Sequence, residues 1–326
     1  MDIFRRNVTY LAVSIFGRRF EMKIVLDVGS NFDNINDCFE SAKKAKQLGA
    51  HAIKFQSFTS QDLYGFENVV KDGISPEWFA SIAAVCKQEG IEFMCSVFNP
   101  SLVSVLDPFV KTHKIASSEV KNKGLVAEIK KTKKPVYAST GGVPFDSLQR
   151  LVTTFGRDRL TLLYCVIDYP SRTHALVNIP NMRKKYNIDI GYSDHSLDIY
   201  EAPMSALRHG ATVLEKHFKI RDFDSNDNAH ALNLVQTMAM IDHLNTMSQE
   251  YKTATEINNS YAVTRRCVAT KLIKIGDTLR YHDNYEHVRG SPDIRMAVRS
   301  CDDPDGQKAK RVIYVGEEIV RKDYKN

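Results

Sequence analysis

The sequence has little of what marks several common protein classes. Its six cysteines contain no CxxC pair, and Cys95 lies inside an apolar run. This pattern suits reduced, buried thiols better than a disulfide framework, so we expect a cytoplasmic protein. Cys165 ends a strand-like run, but no histidine or acidic residue at a characteristic spacing marks it as a nucleophile.

A long hydrophobic run is also absent. No segment reaches the roughly 18 apolar residues of a membrane span, so we expect no membrane partner. The stretch from Val8 to Gly17 follows Arg5 and Arg6 as a signal peptide would, but it is short and has no A-x-A cleavage site. We therefore expect residues 1–22 to form a strand or hairpin at the bottom of the fold.

The chain has no strong excess of one charge. It contains 45 lysines and arginines against 39 acidic residues, which gives a formal net charge of +6. Basic runs at 130–134 and 183–185 fall at the ends of predicted helices. Positive charge serves nucleic-acid surfaces and sites for anionic metabolites alike. Because the charge here is scattered, we expect no nucleic-acid partner.

What is present is a regular alternation of β-rich runs and amphipathic helical stretches over about 220 residues. The predicted strands are Ile24 to Val28, His51 to Phe55, Ile91 to Cys95, His113 to Ser117, Pro135 to Ser139, Leu160 to Cys165, Ile188 to Tyr192 and Thr212 to Lys216. About eight strand–helix units favour a closed (β/α)8 TIM barrel. An open doubly wound sheet is the alternative, but it usually has a Gly-rich phosphate turn after an early strand, which is absent here.

After the barrel region, the alternation of strands and helices gives way to short strands and turns. The predicted domains are a barrel over 1–248, a polar linker over 249–262 and a small β-rich domain over 263–326. Ile273 to Asp277 and Val312 to Ile319 both read as a strand followed by a glycine–acidic turn.

Polar residues recur at the carboxyl ends of the predicted strands, where barrel enzymes place catalytic groups. They are Asp27, Lys54, Gln56, Lys114, Ser117, Glu119, Ser139, Tyr169, Ser193, His195, Lys216 and His217. The lysines and hydroxyls suit a phosphate and a carboxylate. His195 and His217 end adjacent strands, so both could bind one divalent ion. Glu119 could orient or deprotonate a water.

Five segments in this order and spacing resemble the sialic acid synthase family, which makes nonulosonic acids from phosphoenolpyruvate. They are Gly49 to Gln56, Lys114 to Glu119, Ser139 to Gly142, Gly191 to Ser196 and Glu215 to Phe218. The resemblance covers about residues 23 to 320, and Val263 to Asn326 resembles a divergent antifreeze-like (SAF) domain. It implies a phosphoenolpyruvate-dependent C–C bond-forming transferase that acts on a sugar aldehyde similar to N-acetylmannosamine.

The resemblance implies a role for each matched residue. His195 and His217 would hold the metal, commonly Mn²⁺, with Mg²⁺ and Co²⁺ as alternatives. Phosphoenolpyruvate would be bound by Lys54, Lys114, Ser117, Ser139 and Ser193, whereas Glu119 and Asp27 would act in catalysis. Gln56, Tyr169 and Asp227 would face the sugar. Arg289 would reach the partner subunit's site, which requires a domain-swapped homodimer.

Some positions depart from the family pattern on the sugar side. Asp27 stands where the family usually has a glutamate, and Ile167 replaces a polar residue two places before Tyr169. An active synthase with an altered acceptor accounts for these changes. The alternative is a carbohydrate-binding or scaffold protein that has kept the barrel without turnover.

Overall fold

The computed structural model describes residues 11–15, 18–67, 69–172, 175–260, 265–289 and 304–324. The chain divides into two compact units, Met1–Glu250 and Tyr251–Asn326. The first is a closed barrel and the second is a small unit with a two-stranded antiparallel sheet. The (β/α)8 prediction and the small β-rich unit after it are confirmed.

Eight parallel strands form the barrel, and a ninth strand precedes them. The barrel strands are β2 (Arg18–Gly29), β3 (Ala52–Ser57), β4 (Glu92–Val97), β5 (His113–Ile115), β6 (Val136–Ser139), β7 (Leu160–Cys165), β8 (Ile190–Asp194) and β9 (Val213–His217). Each pairs with the next, and β2 pairs with β9 to close the ring. β1 (Leu11–Ile15) forms an antiparallel hairpin with β2, in agreement with the hairpin expected near the N-terminus.

Helices follow the strands around the barrel. They are α1 (Ile35–Leu48), α2 (Ser60–Tyr64), α3 (Phe79–Glu89), α4 (Leu102–Leu106), α5 (Lys123–Thr132), α6 (Phe145–Phe155), α7 (Asn178–Tyr186), α8 (Glu201–Arg208) and α9 (Leu234–Ser260). Local chemistry sets their ends. For example, α1 begins at a capping box, in which the side chains of Asn34 and Asp37 each accept a hydrogen bond from the other residue's backbone amide. The helix ends where Gly49 adopts the left-handed conformation.

The last helix differs from the expected linker. α9 extends to Ser260, so most of the segment predicted as a polar linker over 249–262 is helical. The segment contains neither glycine nor proline, the two residues that end a helix most effectively.

The inside of the barrel changes from apolar to polar along the strands. Val25, Ala52, Met94, Tyr137, Leu163 and Val213 form a separate buried apolar cluster. Because side chains alternate along a strand, the inward-facing residue two positions later lies nearer the carboxyl end. Those residues are Asp27, Lys54, Ser96, Ser139, Cys165 and Glu215, and all of them line one cavity. The apolar layer is therefore the floor of a polar cavity.

Lys216, which the sequence placed among the catalytic suspects, belongs to the outer side of the barrel wall. It lies between the inward-facing Glu215 and His217, and strand alternation turns it away from the cavity. Its ammonium group donates to Asp194 Oδ2 at 2.6 Å, to Ser196 Oγ at 3.2 Å and to the Asp198 carbonyl at 3.0 Å. Both charged side chains of the pair are fully buried. The pair joins β8 to β9, and neither residue lines the cavity.

This assignment predicts a large effect on stability. Lys216→Ala should lower the free energy of unfolding by about 3–5 kcal/mol, because it leaves the Asp194 carboxylate buried without its cation. Lys131→Ala removes an exposed ion pair with Glu128 and should change the free energy of unfolding by less than about 1 kcal/mol. Urea denaturation measures both. Equal effects for the two variants would contradict the buried role of Lys216.

A half-buried histidine, His51, is expected to make the stability of the barrel sensitive to acid. His51 Nδ1 accepts a hydrogen bond from the Ile24 amide at 3.1 Å. Burial, with Lys23 and Lys46 nearby, lowers the pKa of His51 to about 4. The unfolded chain binds this proton near pH 6.5 and the folded chain near pH 4, so protonation favours unfolding as the pH falls through this window.

The free energy of unfolding should fall between pH 6.5 and pH 4, and His51→Gln should make this fall smaller by about 2 kcal/mol. The measurement is urea denaturation at a series of pH values for both proteins. A parallel pH profile for the variant and the unmutated chain would show that His51 titrates normally in the folded state.

The C-terminal unit contains an internal repeat of the kind expected. β10 (Arg265–Ala269) pairs antiparallel with β11 (Tyr285–Arg289). Ile273 and Ile313 exchange both backbone hydrogen bonds, at 3.0 and 2.9 Å. Gly276 and Gly316 follow them in left-handed conformations, each before an acidic residue. The two strand-and-turn segments are thus related by a local two-fold axis. Ile273 and Ile313 belong to a small core that is separate from the barrel core.

Among the described residues, no helix is both long and apolar enough to cross a membrane. Cys38, Cys86, Cys95 and Cys165 are buried and none is in a disulfide, in agreement with the cysteine pattern.

Candidate active site

A cavity of about 670 Å³ opens at the carboxyl ends of the barrel strands. The structure brings together at this cavity nearly all the site residues that the sequence predicted. They are Asp27, Lys54, Gln56, Lys114, Ser117, Glu119, Ser139, Tyr169, Ser193, His195, His217 and Asp227. Arg289 ends β11 in the C-terminal unit, and its side chain lies outside the described residues.

Asp27 and Lys54 form a buried ion pair at the ends of β2 and β3. Lys54 Nζ donates to Asp27 Oδ2 at 2.6 Å, and Gln56 Nε2 lies 3.3 Å from the same oxygen. Burial opposes the charge on Lys54, but the carboxylates of Asp27 and Glu215 outweigh this and raise its pKa. Lys54 therefore remains a cation in the cavity.

Glu215, on β9, is a central residue to which the sequence analysis gave no role. Its Oε1 lies 3.3 Å from Lys114 Nζ and 3.9 Å from Lys54 Nζ, and it accepts a hydrogen bond from Ser193 Oγ at 3.0 Å. Burial alone would raise the pKa of Glu215, but Lys114 and Lys54 lower it to about 2. The signal was available, since Glu215 lies two residues before His217 on the same strand and must face the same way.

The two lysines are therefore balanced by two buried carboxylates. Burial, only partly offset by Glu215, lowers the pKa of Lys114. A strongly anionic ligand in this cavity needs positive charge beyond the two lysines, since Asp27 and Glu215 already neutralise them.

Hydroxyl groups surround the lysines. Ser117 Oγ accepts from the Gly141 amide at 3.0 Å and lies 3.8 Å from Cys165 Sγ. Ser139 Oγ is buried without a hydrogen-bond partner among the described residues. An unpartnered buried hydroxyl is costly, so a ligand that accepts its hydrogen bond would be favoured.

Glu119 and the aromatic wall lie farther out. Glu119, on a short 3-10 turn after β5, accepts from Asn122 Nδ2 at 2.8 Å and lines the cavity. Tyr169 is half exposed and stacks on the His195 ring, with centroids 4.2 Å apart. Ile167 lines the same cavity and remains 59% exposed, which is unusual for so apolar a side chain.

His195 and His217 converge on the cavity from adjacent strands. Their ring centroids are 5.6 Å apart and both side chains are buried. His195 Nδ1 lies 2.9 Å from the Val166 carbonyl, which can only accept, so Nδ1 carries the proton and Nε2 keeps its lone pair. Burial lowers the pKa of His195 to about 3 and also lowers that of His217. Both rings are therefore neutral, the form that binds metals.

Asp227 and His230 bring the loop after β9 to the same place. Asp227 Oδ2 accepts from the Ser30 amide at 2.7 Å and from Ser30 Oγ at 2.6 Å, while Oδ1 lies 3.2 Å from His230 Nε2. The sequence analysis gave His230 no role. No strand periodicity places a loop residue, so the sequence offered no signal for it.

These residues fit a divalent cation. Two imidazoles on one ion, at N–metal distances of about 2.1 Å, have centroids about 4.5–6 Å apart, as His195 and His217 do. His217 Nδ1 is buried without a hydrogen-bond partner in the described part of the chain. His217, Asp227 and His230 also form a group whose ligand atoms lie within 4.8 Å of one another. Neutral imidazoles with a carboxylate are donors that suit manganese, iron, cobalt or zinc.

Comparison with known proteins identifies the family of this chain. The family model described as the NeuB family matches residues 41–256, well over half of the chain. The chain belongs to the NeuB family. The sialic acid synthase-like resemblance is thereby confirmed.

Curated relatives of this NeuB family chain carry synthase names. It is 27% identical to a pseudaminic acid synthase of Campylobacter jejuni over 92% of this chain and 96% of the relative. It is 27% identical to an N-acetylneuraminate-9-phosphate synthase of Drosophila melanogaster, over 60% of each. It is also 26% identical to the spore coat polysaccharide biosynthesis protein SpsE of Bacillus subtilis, over 74% of this chain and 72% of that protein.

Solved structures share the fold of this NeuB family chain. An N-acetylneuraminic acid synthetase from Leptospira borgpetersenii, solved with citrate, superposes with a TM-score of 0.65 at 21% identity, covering 77% of this chain and 97% of that one. The spore coat protein SpsE from Bacillus subtilis also gives 0.65, at 24% identity, covering 96% and 99%.

Proposed function

We propose that this chain condenses phosphoenolpyruvate with a sugar-like aldehyde to form a nonulosonic-type 2-keto acid, releasing phosphate by C–O cleavage. The observation that carries the proposal is the cluster of Lys54, Lys114, Glu215 and serine hydroxyls beside two neutral imidazoles at one end of the barrel. The names of its relatives support the reaction class.

Phosphoenolpyruvate would occupy the inner part of the cavity. It carries a phosphate of about −2 and a carboxylate, both of which accept charge-assisted hydrogen bonds from ammonium and hydroxyl groups. Lys54, Lys114, Ser117, Ser139 and Ser193 would supply them. Because Asp27 and Glu215 already balance the lysines, a divalent cation would supply the remaining positive charge.

We place this ion at His195 and His217 and propose Mn²⁺. An ion bound there would act as a Lewis acid on the aldehyde oxygen of the acceptor. C3 of phosphoenolpyruvate attacks the aldehyde carbon, and water then adds at C2. Glu119 would orient this water and accept its proton, and the tetrahedral intermediate expels phosphate with the C2–O bond broken. Lys54 and Lys114 stabilise the charge that develops during both steps.

The acceptor would lie toward the cavity mouth, where Gln56, Tyr169 and Asp227 offer polar contacts. Ile167 in this wall cannot hydrogen-bond an amide or hydroxyl, and sites built on such bonds discriminate strongly when a polar partner is lost. This supports an amino-sugar or related aldehyde that differs from N-acetylmannosamine. We place the reaction in the cytosol.

The test is phosphate release from purified protein, phosphoenolpyruvate and Mn²⁺ with a panel of open-chain amino-sugar and simple aldoses. We expect release that depends on one class of aldehyde, with a 2-keto acid as the second product. A carbohydrate-binding scaffold would release no phosphate with any aldehyde and would not bind phosphoenolpyruvate. That outcome would overturn the proposal.

We further propose that Arg289 of the SAF-like C-terminal domain acts in the site of a second copy within a domain-swapped homodimer. Arg289→Ala should lower kcat while leaving the Kd for phosphoenolpyruvate unchanged. Mixing this variant with a Lys114→Ala barrel variant should restore part of the activity, because one mixed site keeps both residues. No restoration in the mixed dimers would rule out the exchange.

A further inference from the structure

Three ligand atoms from His217, Asp227 and His230 lie within 4.8 Å of one another, and two of these residues, His217 and Asp227, line the cavity. His217 comes from β9, whereas the other two come from the loop before α9. His230 is 5% exposed, and its ring meets that of His217 edge to face, with centroids 4.5 Å apart. A polar ring buried this deeply against another imidazole requires an explanation.

The distance between His230 and Asp227 matches shared coordination. His230 Nε2 lies 3.2 Å from Asp227 Oδ1. Two neighbouring ligands of an octahedral ion, each about 2.2 Å from it, are about 3.1 Å apart. The His230–Asp227 contact therefore has the spacing expected of two ligands on one ion.

The fold also fixes the carboxylate so that one oxygen is available. Ser30 donates its amide and hydroxyl to Asp227 Oδ2, leaving Oδ1 on the His230 side. Gly29 makes this approach possible, because a Cβ at that position would lie 2.4 Å from Asp227 Oδ2. Hydrogen bonds of this kind to a ligand's other oxygen are how proteins orient metal-binding carboxylates.

We propose that His230 is a third imidazole ligand of the catalytic ion and that Asp227 Oδ1 binds beside it. The proposal rests on the proposed function only in placing an ion at His217. It adds His230 and Asp227 to the pair His195 and His217. The resulting set is richer in nitrogen than two histidines alone, so it discriminates against Mg²⁺, which prefers oxygen ligands and retains water.

Metal binding in the absence of substrates tests the assignment. Isothermal titration of the full chain with Mn²⁺ and Co²⁺ gives the Kd, and pulsed EPR of the Mn²⁺ complex counts coordinated imidazole nitrogens. We expect His230→Ala to weaken Co²⁺ binding by about 100-fold or more, beyond the usual effect of an outer-shell partner, and to reduce the nitrogen count by one. His243→Ala, on α9 beside Tyr200, is the matched control and should change neither.

A cysteine at the same position tests ligation directly. His230→Cys should give a thiolate-to-Co²⁺ charge-transfer band in the near ultraviolet, whereas His243→Cys should give none. Far-ultraviolet circular dichroism confirms that each variant is folded, and the cysteine variant, which keeps a ligand, serves if His230→Ala does not fold.

Three results would overturn the assignment: an unchanged Kd, a weaker Kd with an unchanged nitrogen count, or no charge-transfer band from the folded His230→Cys. The second of these would reduce His230 to a positioning residue for Asp227. None requires turnover, so failure of this proposal is distinct from failure of the proposed function, which phosphate release alone decides.

Discussion

His217→Ala should abolish tight binding of the divalent cation and lower turnover by about 10³-fold or more, because it removes a residue that we propose binds the ion directly, and with it the proposed Lewis acid. The His217 ring lies near two other imidazoles with which it could share an ion. Its centroid is 5.6 Å from that of His195 and 4.5 Å from that of His230. Its Nδ1 has no hydrogen-bond partner in the described residues and lies 3.8 Å from Asp27 Oδ2, which leaves the nitrogen available to an ion.

The measurement combines metal titration with phosphate release at saturating phosphoenolpyruvate. Truncation of a buried ring leaves a cavity and should lower the thermal midpoint, so far-ultraviolet circular dichroism first establishes that the variant is folded at the assay temperature. His243→Ala controls for the loss of a histidine from the barrel unit. Full activity in the folded His217→Ala protein would remove the metal assignment and with it the Lewis-acid step.

Lys114→Ala should raise the Kd for phosphoenolpyruvate by about 100-fold, as expected when a buried charge partner worth 2–5 kcal/mol is truncated. The loss has two sources. The ligand loses a cation, and Glu215 loses the nearer of its two lysines, at 3.3 Å against 3.9 Å for Lys54. The carboxylate then repels the incoming anion.

The pH dependence of binding provides a second readout. Burial lowers the pKa of Lys114, so its charge is lost at a lower pH than that of an ordinary lysine. Affinity for phosphoenolpyruvate should therefore fall as the pH rises through this lowered pKa, and Lys114→Ala should lack that step. Lys87→Ala, on the exposed face of α3, is the control. An unchanged Kd in Lys114→Ala would show that the anion binds elsewhere.

Much of the barrel could be predicted from the sequence because its signals are local. Strands are apolar runs of fixed period, and helix ends depend on nearby residues, as with Asn34 and Gly49 at the two ends of α1. The predicted strands lie within a few residues of β2 to β9. The segment predicted as a linker over 249–262 is helical as far as Ser260, because it contains no residue that ends a helix, and composition alone does not separate a polar helix from a loop.

The site was predictable where it follows strand geometry and unpredictable where it follows tertiary contacts. Alternation along β9 places Glu215 beside His217 and turns Lys216 outward, so both corrections could have been made from the sequence. His230 is different, because a hydrogen bond to Asp227 and the absence of a side chain at Gly29 bring its loop to the cavity. Asp227 and His230 are three positions apart, but the contact that brings Asp227 to Ser30 joins residues 197 positions apart in the chain.

The most direct test of the proposed chemistry follows the bridging oxygen of phosphoenolpyruvate. With an aldehyde that supports turnover, the substrate is labelled with ¹⁸O at the C2–O–P position and the products are analysed by mass spectrometry. Attack of C3 on the aldehyde, followed by water at C2, predicts that the label leaves entirely with inorganic phosphate. Label retained in the 2-keto acid would mean cleavage of the O–P bond and would contradict the mechanism.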